Sequence, residues 1–232
     1  MTGMENPHQV GGISVGPVGA PFDLSETDRL LSTTRAVRQR LDLTRPVEPE
    51  VILECVRLAV QAPTGSNQQT WRWLVITDAD KRAAIANAYN VAGKAYLSMA
   101  AADENNDPQT RRVYESALGL TDTLAQVPVH VIPCIDARLD LRSNMGAASQ
   151  YGSIIPAAWS FLLALRARGL GSVWTTLHLY QEAEVAKLLG IPEHVTQIAL
   201  FPVAYTIGTD FKPATRPPVE SITYWDVWGE TR

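Results

Sequence analysis

Four short segments carry the side chains that could do chemistry: TRAVRQR (Thr34 to Arg40), APTGSNQQTW (Ala62 to Trp71), GLGSVWTT (Gly169 to Thr176) and KPATRPP (Lys212 to Pro218). The first and last offer Arg35, Arg38 and Arg216, whose planar guanidinium forks match the geometry of a phosphate. The second runs from Thr64 to Thr70 on hydroxyls and amides with one glycine, without a charge or an aliphatic side chain. A loop that needed only solvation would more often carry Lys, Glu or Asp. Taken singly, each segment has an ordinary structural explanation, because arginines near helix ends are solvated, Gly/Pro/Asn loops make turns and GLG stops a helix before a strand. Taken together they describe a ligand with a phosphate at one end and a flat polar heterocycle at the other.

The neutral groups of Thr64, Ser66, Asn67 and Gln69 suit such a heterocycle, since an isoalloxazine edge alternates carbonyls with ring nitrogens and wants partners that do not titrate. Trp71, Trp73, Trp159 and Trp174 offer apolar wall or core. Composition narrows the field further. The 232 residues carry a formal net charge of -4, which argues against a nucleic-acid partner, whose binding surface shows as clustered Lys and Arg. Cys55 and Cys134 form no CxxC pair and read as buried structural thiols, and the four histidines have no metal-ligand spacing, so no metal is expected. The N-terminus does not resemble a signal peptide, and the most apolar run, Ile154 to Leu165, is too short to span a bilayer. A cytoplasmic protein without a membrane partner is expected.

Stepping along the chain, residues 1–23 mix Gly and Pro with few large apolar residues and read as a flexible arm, followed by one domain over 24–232. A short helix begins near Leu24, with Ser25 the N-cap and Asp28 three positions on. Pro49 opens a second helix that Pro63 stops, with Glu50, Glu54, Arg57 and Gln61 on one polar stripe. Thr70 to Thr77 reads as a strand, and Thr77 or Asp78 caps a helix to about Tyr89. From Val91 to Gln126 the pattern is helical but broken, with a loop over Asn105 to Gln109 and a weak point at Gly119. Val127 to Asp136 is a strand in which Pro133 argues for an edge or a bulge. A helix from Asn144 to Ala167 is apolar on nearly every face and must be enclosed on all sides, which points to a second copy of the chain. A buried strand and its exit loop are expected over Gly171 to Leu179 and another strand over Val195 to Gly208, separated by a short helix closed by Gly190.

In this order the four segments resemble the FMN-dependent NAD(P)H nitroreductase family, whose pattern runs R-R-S-x-R, then A-P-S/T-x-x-N-x-Q-P-W, then G-L-G before a strand, then K-x-R-x-P. The likeness covers about Leu30 to Ile222. It implies an α+β sandwich, a mixed central sheet flanked by helices, in an intertwined homodimer with FMN in two interface clefts lined by both chains. It implies NADPH or NADH as co-substrate and hydride transfer through flavin N5 to small nitroaromatic or quinone-like acceptors. Carried over by position, Arg35, Ala36, Arg38 and Arg216 fall on the phosphate end, with Arg38 also facing the charge of the reduced ring. Pro63, Thr64, Ser66, Asn67 and Gln69 fall on the ring edge, and Trp174, Thr175 and Thr176 on the stretch along the flavin. Thr34, Ala36, Thr70 and Ala214 depart from the pattern, and Lys212 is placed to compensate for Ala214. No catalytic acid is required. Tyr96 and Tyr114 are candidates for the acceptor side. Relatives that fragment their own flavin, reductive dehalogenases and a non-catalytic FMN-binding or storage protein are the alternatives.

Overall fold

The computed structural model describes residues 21–140 and 142–232, together with the backbone of two short paired strands, β1 (Gln9–Val10) and β2 (Ile13–Ser14). The expected arm over residues 1–23 therefore lies largely outside the described residues. Helix α1 spans Leu24–Thr33, but its cap is Asp23, whose carboxylate accepts from the Glu26 amide at 3.2 Å. Ser25 sits inside the first turn and donates to the same carboxylate. Both residue types cap well, so the point at which the chain enters the helix decides, and the Asp23 charge also complements the positive end.

Helix α2 (Pro49–Ala59) buries Ile52, Cys55 and Ala59 at spacings of three and four and leaves Glu50 and Glu54 outside, as its polar stripe requires. Strand β3 (Trp71–Ile76) leads to α3 (Ala79–Ala102), capped by Asp78. This helix runs well past Tyr89, which is buried near its middle, and the break falls at Asp103–Asp107 before α4 (Pro108–Thr123). Gly119 does not interrupt α4. It faces open space, so the missing side chain leaves no hole, while Ala117, Leu120 and Thr121 on the buried face hold the helix in place.

Strand β4 (Val129–Ile135) is buried along its whole length and is central rather than at an edge. It pairs with β3 on one side, and with β6 (Thr196–Gln197) and β7 (Phe201–Tyr205) on the other. The Asp136 amide bonds to Thr70, so the even-numbered residues of β4 hydrogen-bond to β3. The nitrogen of Pro133 is thus turned to the other side, at the point where β7 ends and β6 has not begun. That gap tolerates a residue without an N–H. It also explains why residues 196–205, read as one strand, form two. Similarly, only β5 (Leu170–Gly171) of the expected 171–179 strand joins the ladder, with Thr175 making a single bridge to Leu200. The sheet order is β3-β4-β7-β5, and each pairing among the described residues is antiparallel.

Alternation along β4 divides the core between two layers. Val129 and Val131 face α2 and the long helix α5 (Asn144–Ala167), packing with Phe161 and Leu165. Ile132 and Cys134 face α3, α4 and α6 (Glu182–Leu189), packing with Ile85, Tyr89 and Leu120. The expected α+β sandwich is therefore present, with a central sheet that is antiparallel in every described pairing where a mixed one is expected. α5 buries Ile154, Ala158, Phe161 and Leu165, yet Ile155 and Trp159 remain 41% and 44% exposed, so one chain does not enclose it on every side. Both cysteines are buried and free, and burial pushes the thiols up to about 11 at Cys55 and about 12 at Cys134.

Two histidines are sealed into the same core. His130 gives one ring nitrogen to the Leu124 carbonyl, while its Nδ1 and both nitrogens of His178 have no partner. Burial lowers both pKa values to about 4, helped at His130 by the nearby Arg82 charge. Their folded pKa values lie below the unfolded value of roughly 6.5, so unfolding takes up protons as pH falls. Stability is expected to be insensitive to these groups above about pH 6.5 and to fall between 6.5 and 4, at up to about 2.7 kcal/mol per pH unit. Urea unfolding across that range should show the decline, and His178→Leu should remove about half of the slope.

Candidate functional site

The chain leaving α1 runs as a strap over β5. Thr34 closes the helix with an amide bond to Leu30, and at Val37 the backbone meets the sheet, donating its N–H to the Ser172 carbonyl at 2.8 Å. The approach is close enough to require glycine opposite it. A Cβ on Gly171 would lie 2.6 Å from Thr206 Cγ2 and 3.0 Å from Val37 Cβ, inside contact distance. With Val37 buried, Ala36 and Arg38 beside it turn toward a cleft. The C-terminal segment lies along the same opening. Phe211 is held between two guanidinium groups, Arg40 at 4.4 Å and Arg166 at 4.7 Å from its ring centre. Arg35 donates to the Lys212 carbonyl at 2.8 Å, which leads Pro213 to Arg216 into the wall.

The cleft so enclosed has a volume of about 650 Å³. Trp159 and Leu162 of α5 and Trp174 beyond β5 give it apolar walls, and the face of α4 with Gln109, Arg112, Val113 and Ser116 closes another side. Its electrostatics are one-sided. Arg35, Arg38, Arg112, Arg166 and Arg216 line it and no Asp or Glu does, in a chain where acids outnumber Lys and Arg by 24 to 20. Arg38 is half-buried and makes no ion pair or hydrogen bond among the described residues. Burial lowers its pKa, with only the Tyr89 hydroxyl acting against it. Burial also lowers the pKa of Arg166, as do the charges of Arg29 and Arg40. The buried Ser172 hydroxyl in the same wall has no partner. Guanidinium groups remain charged under such shifts, so the cleft is a cationic site, partly desolvated at Arg38 and Arg166 and open to solvent at Arg35, Arg112 and Arg216.

Five residues assigned to the cofactor from the sequence therefore meet here, Arg35, Ala36, Arg38, Trp174 and Arg216, together with Trp159, read as apolar wall or core. Lys212 contributes its carbonyl to Arg35 but does not line the cleft. Thr175 sits just behind the wall, its hydroxyl 3.3 Å from that of Tyr89, and Thr176 is exposed at the start of a short 3-10 turn. Pro63, Thr64, Ser66, Asn67 and Gln69 lie outside the cleft of their own chain, on a loop docked against the opening turns of α5. Gly65 gives its amide to Ser153 Oγ at 2.9 Å, and a Cβ there would lie 2.9 Å from Ser149 Oγ. Within the loop Gln69 bonds through its amide to Thr64 Oγ1 and through its side chain to Asn67. Ser66, Asn67 and Gln69 all have positive φ, near 52°, 54° and 51°. Three non-glycine residues in the left-handed region cost roughly 1–2 kcal/mol each, strain that concentrates at functional loops.

The sequence did not point to Gln109, Arg112, Ser116 or Arg166. Their common signal is the helical register that puts 109, 112, 113 and 116 on one face of α4, which is visible only once α4 is known to be unbroken. Tyr96 and Tyr114 do not line the cleft. Tyr96 lies beside Tyr114, whose hydroxyl raises its pKa.

The nitroreductase family model matches residues 31–205, most of the chain and all of the sheet. The chain belongs to the nitroreductase family. That family is an oxidoreductase group. Individual relatives are distant and diverse. The 5,6-dimethylbenzimidazole synthase of Rhodospirillum rubrum is 26% identical over 167 residues, 70% of this chain and 74% of that protein. The FMN-dependent nitroreductase NfnB from Mycobacterium smegmatis, solved in complex with NADPH, superposes with a TM-score of 0.65 at 19% identity, over 88% of this chain and all of that one. Iodotyrosine deiodinase bound to FMN and 3-iodo-L-tyrosine superposes with a TM-score of 0.62 at 22% identity, over 82% and 94% of the two chains. Among the described residues no helix is long and apolar enough to cross a membrane, and no cluster of three metal-binding side chains occurs.

The strap geometry makes a direct prediction. Gly171→Ala forces Val37 or Thr206 to shift and should cost about 1–3 kcal/mol in urea unfolding. Gly119→Ala, on the open face of α4, should be neutral or stabilise by up to about 1 kcal/mol.

Proposed function

We propose that the protein is an FMN-dependent oxidoreductase that passes a hydride from NADPH or NADH to nitroaromatic or quinone-like acceptors, and that it works as a homodimer. The observation that carries the reading is the acid-free ring of five arginines around a cleft large enough for one cofactor and a ring-sized partner. Such a site fits FMN. Arg35, Arg38 and Arg216 would hold its phosphate, and the unpartnered Ser172 hydroxyl adds a neutral donor within the wall. When bound, FMN supplies the two-electron step between nicotinamide and acceptor. The protein supplies position and charge: Trp159 and Trp174 give flat apolar walls that exclude water, and Arg38 keeps a desolvated positive charge in the cleft.

The arrangement along α5 supports the homodimer. The Thr64–Gln69 loop docks near Ser149 and Ser153, while Trp159 and Leu162 line the cleft, roughly 13 Å further along the helix. Ile155 lies between them and, like Trp159 at the cleft, is exposed. A second copy packed on that face would cover both side chains and bring its own Ser66, Asn67 and Gln69 to the cleft as neutral hydrogen-bonding groups. Each chain would then complete the other's site.

The purified protein should absorb near about 450 nm with one FMN per chain, and either nicotinamide added without oxygen should bleach it. A nitroaromatic should consume two nicotinamides and two protons to give a hydroxylamine and one water. A colourless protein that takes up no FMN would sink the reading. Halide release from halogenated aromatics, or destruction of the flavin itself, would move it to another branch of the family. Asn67→Leu should lower FMN retention about tenfold while light scattering still shows the dimer.

A further inference from the structure

The cleft holds more positive charge than a phosphate needs, and the surplus has a definite place. Arg166 is engaged, donating to the Thr33 hydroxyl and the Thr209 carbonyl and lying against Phe211. Arg35 bonds to the Lys212 carbonyl, and Arg38 lies between the strap and Tyr89. Arg112 alone comes from α4, and among the described residues it makes no hydrogen bond and no ion pair within 4 Å. One carboxylate is near enough to feel its charge, the helix cap Asp107. Both oxygens of that group are committed, to the Gln109 and Thr110 amides and to the Thr110 hydroxyl. Local electrostatics would favour acids in this part of the helix, and its opening turn has none while Arg111 and Arg112 follow directly. Nothing within α4 explains that choice. Around Arg112 the cleft face mixes an apolar patch, Val113 with Trp159 nearby in the lining, and the neutral polar groups of Gln109 and Ser116.

We propose that Arg112 selects the acceptor: it takes the carboxylate of an aromatic acid whose ring lies in the cleft against Val113 and Trp159. This deepens the reading above, since it presumes that the acceptor is reduced in this cleft. A planar guanidinium matches a carboxylate bidentately, and Gln109 and Ser116 suit the remaining oxygen lone pairs. The other anion that could reach a cleft arginine is the 2′-phosphate of NADPH. A cleft of about 650 Å³ encloses a cofactor-sized group and one more ring but not a whole dinucleotide, which favours the smaller acid.

The test uses binding first, because it does not depend on turnover. Trp159 and Trp174 line the cleft, so titration of the full-length protein with benzoate and with benzamide is followed by tryptophan fluorescence, at fixed ionic strength. Benzoate should bind at least tenfold more tightly than its neutral isostere, the ratio should collapse in Arg112→Gln, and Arg112→Lys should restore it in part. Arg111→Gln removes the same charge from a neighbouring position outside the cleft lining and should keep the ratio. Turnover is then compared for 4-nitrobenzoate and 4-nitrobenzamide, with the loss in Arg112→Gln expected in KM for the acid. Equal affinity for benzoate and benzamide, or equal loss in the Arg111 and Arg112 variants, overturns the proposal. So does a rise in KM for NADPH but not NADH in Arg112→Gln with the benzoate preference intact, which would assign the arginine to the donor. Failure of both nicotinamides to bleach the flavin is a separate outcome: it removes the enzymatic reading, and the benzoate titration still decides the role of Arg112.

Discussion

The hydrogen bond from the Val37 amide to the Ser172 carbonyl holds the strap after α1 against the sheet, and the cleft exists because of it. Without a glycine at 171 the two backbones could not come that close. The contact fixes the direction of Arg35, Ala36 and Arg38, and through the Arg35 bond to Lys212 it also fixes the path of the C-terminal segment. A cleft assembled from residues 34–38, 170–174 and 213–216, with helices supplying the remaining walls, is thus organised around one close backbone approach.

The second constraint is charge. The protein is acidic as a whole, yet no acid among the described residues lines this cleft, so the segregation of charge is local and oriented. Arg38 and Arg166 are partly buried without carboxylate partners among the described residues, a cost that an anion in the cleft would offset. The same logic applies to the strained loop at Ser66 to Gln69. Its unfavourable backbone is held by Ser153, Thr64 and its own side chains, and it presents neutral groups away from its own chain.

Much of this was legible in the sequence, and the reasons are specific. α5 was read from Asn144 to Ala167 and is found there, because a cap, a long apolar run and a glycine stop agree. The arginine-bearing strap, GLG and the C-terminal arginine were picked out by residue type and order, and the cleft brings them together. What failed depended on tertiary context. Ser25 lost the cap to Asp23 because both are competent and only the entering chain direction decides. Pro133 lies in a central strand because a gap between β6 and β7 receives its bare nitrogen, which no local pattern encodes. Residues 91–126 concealed Arg112 because a glycine and a polar loop obscured the register of two packed helices. The loop and the cleft are assigned to one ligand by the sequence pattern but lie apart in one chain, a separation that motif order along the sequence does not encode.

The burial of the two cysteines has a chemical corollary. Quinones and nitroso compounds are electrophiles that add to thiolates, so a protein that handles them is exposed to alkylation by its own substrates and products. Cys55 and Cys134 are both inaccessible and, with pKa values near 11 and 12, almost wholly protonated at neutral pH. The folded chain therefore presents neither of its two cysteines as a thiolate to such molecules, and unfolding would expose both.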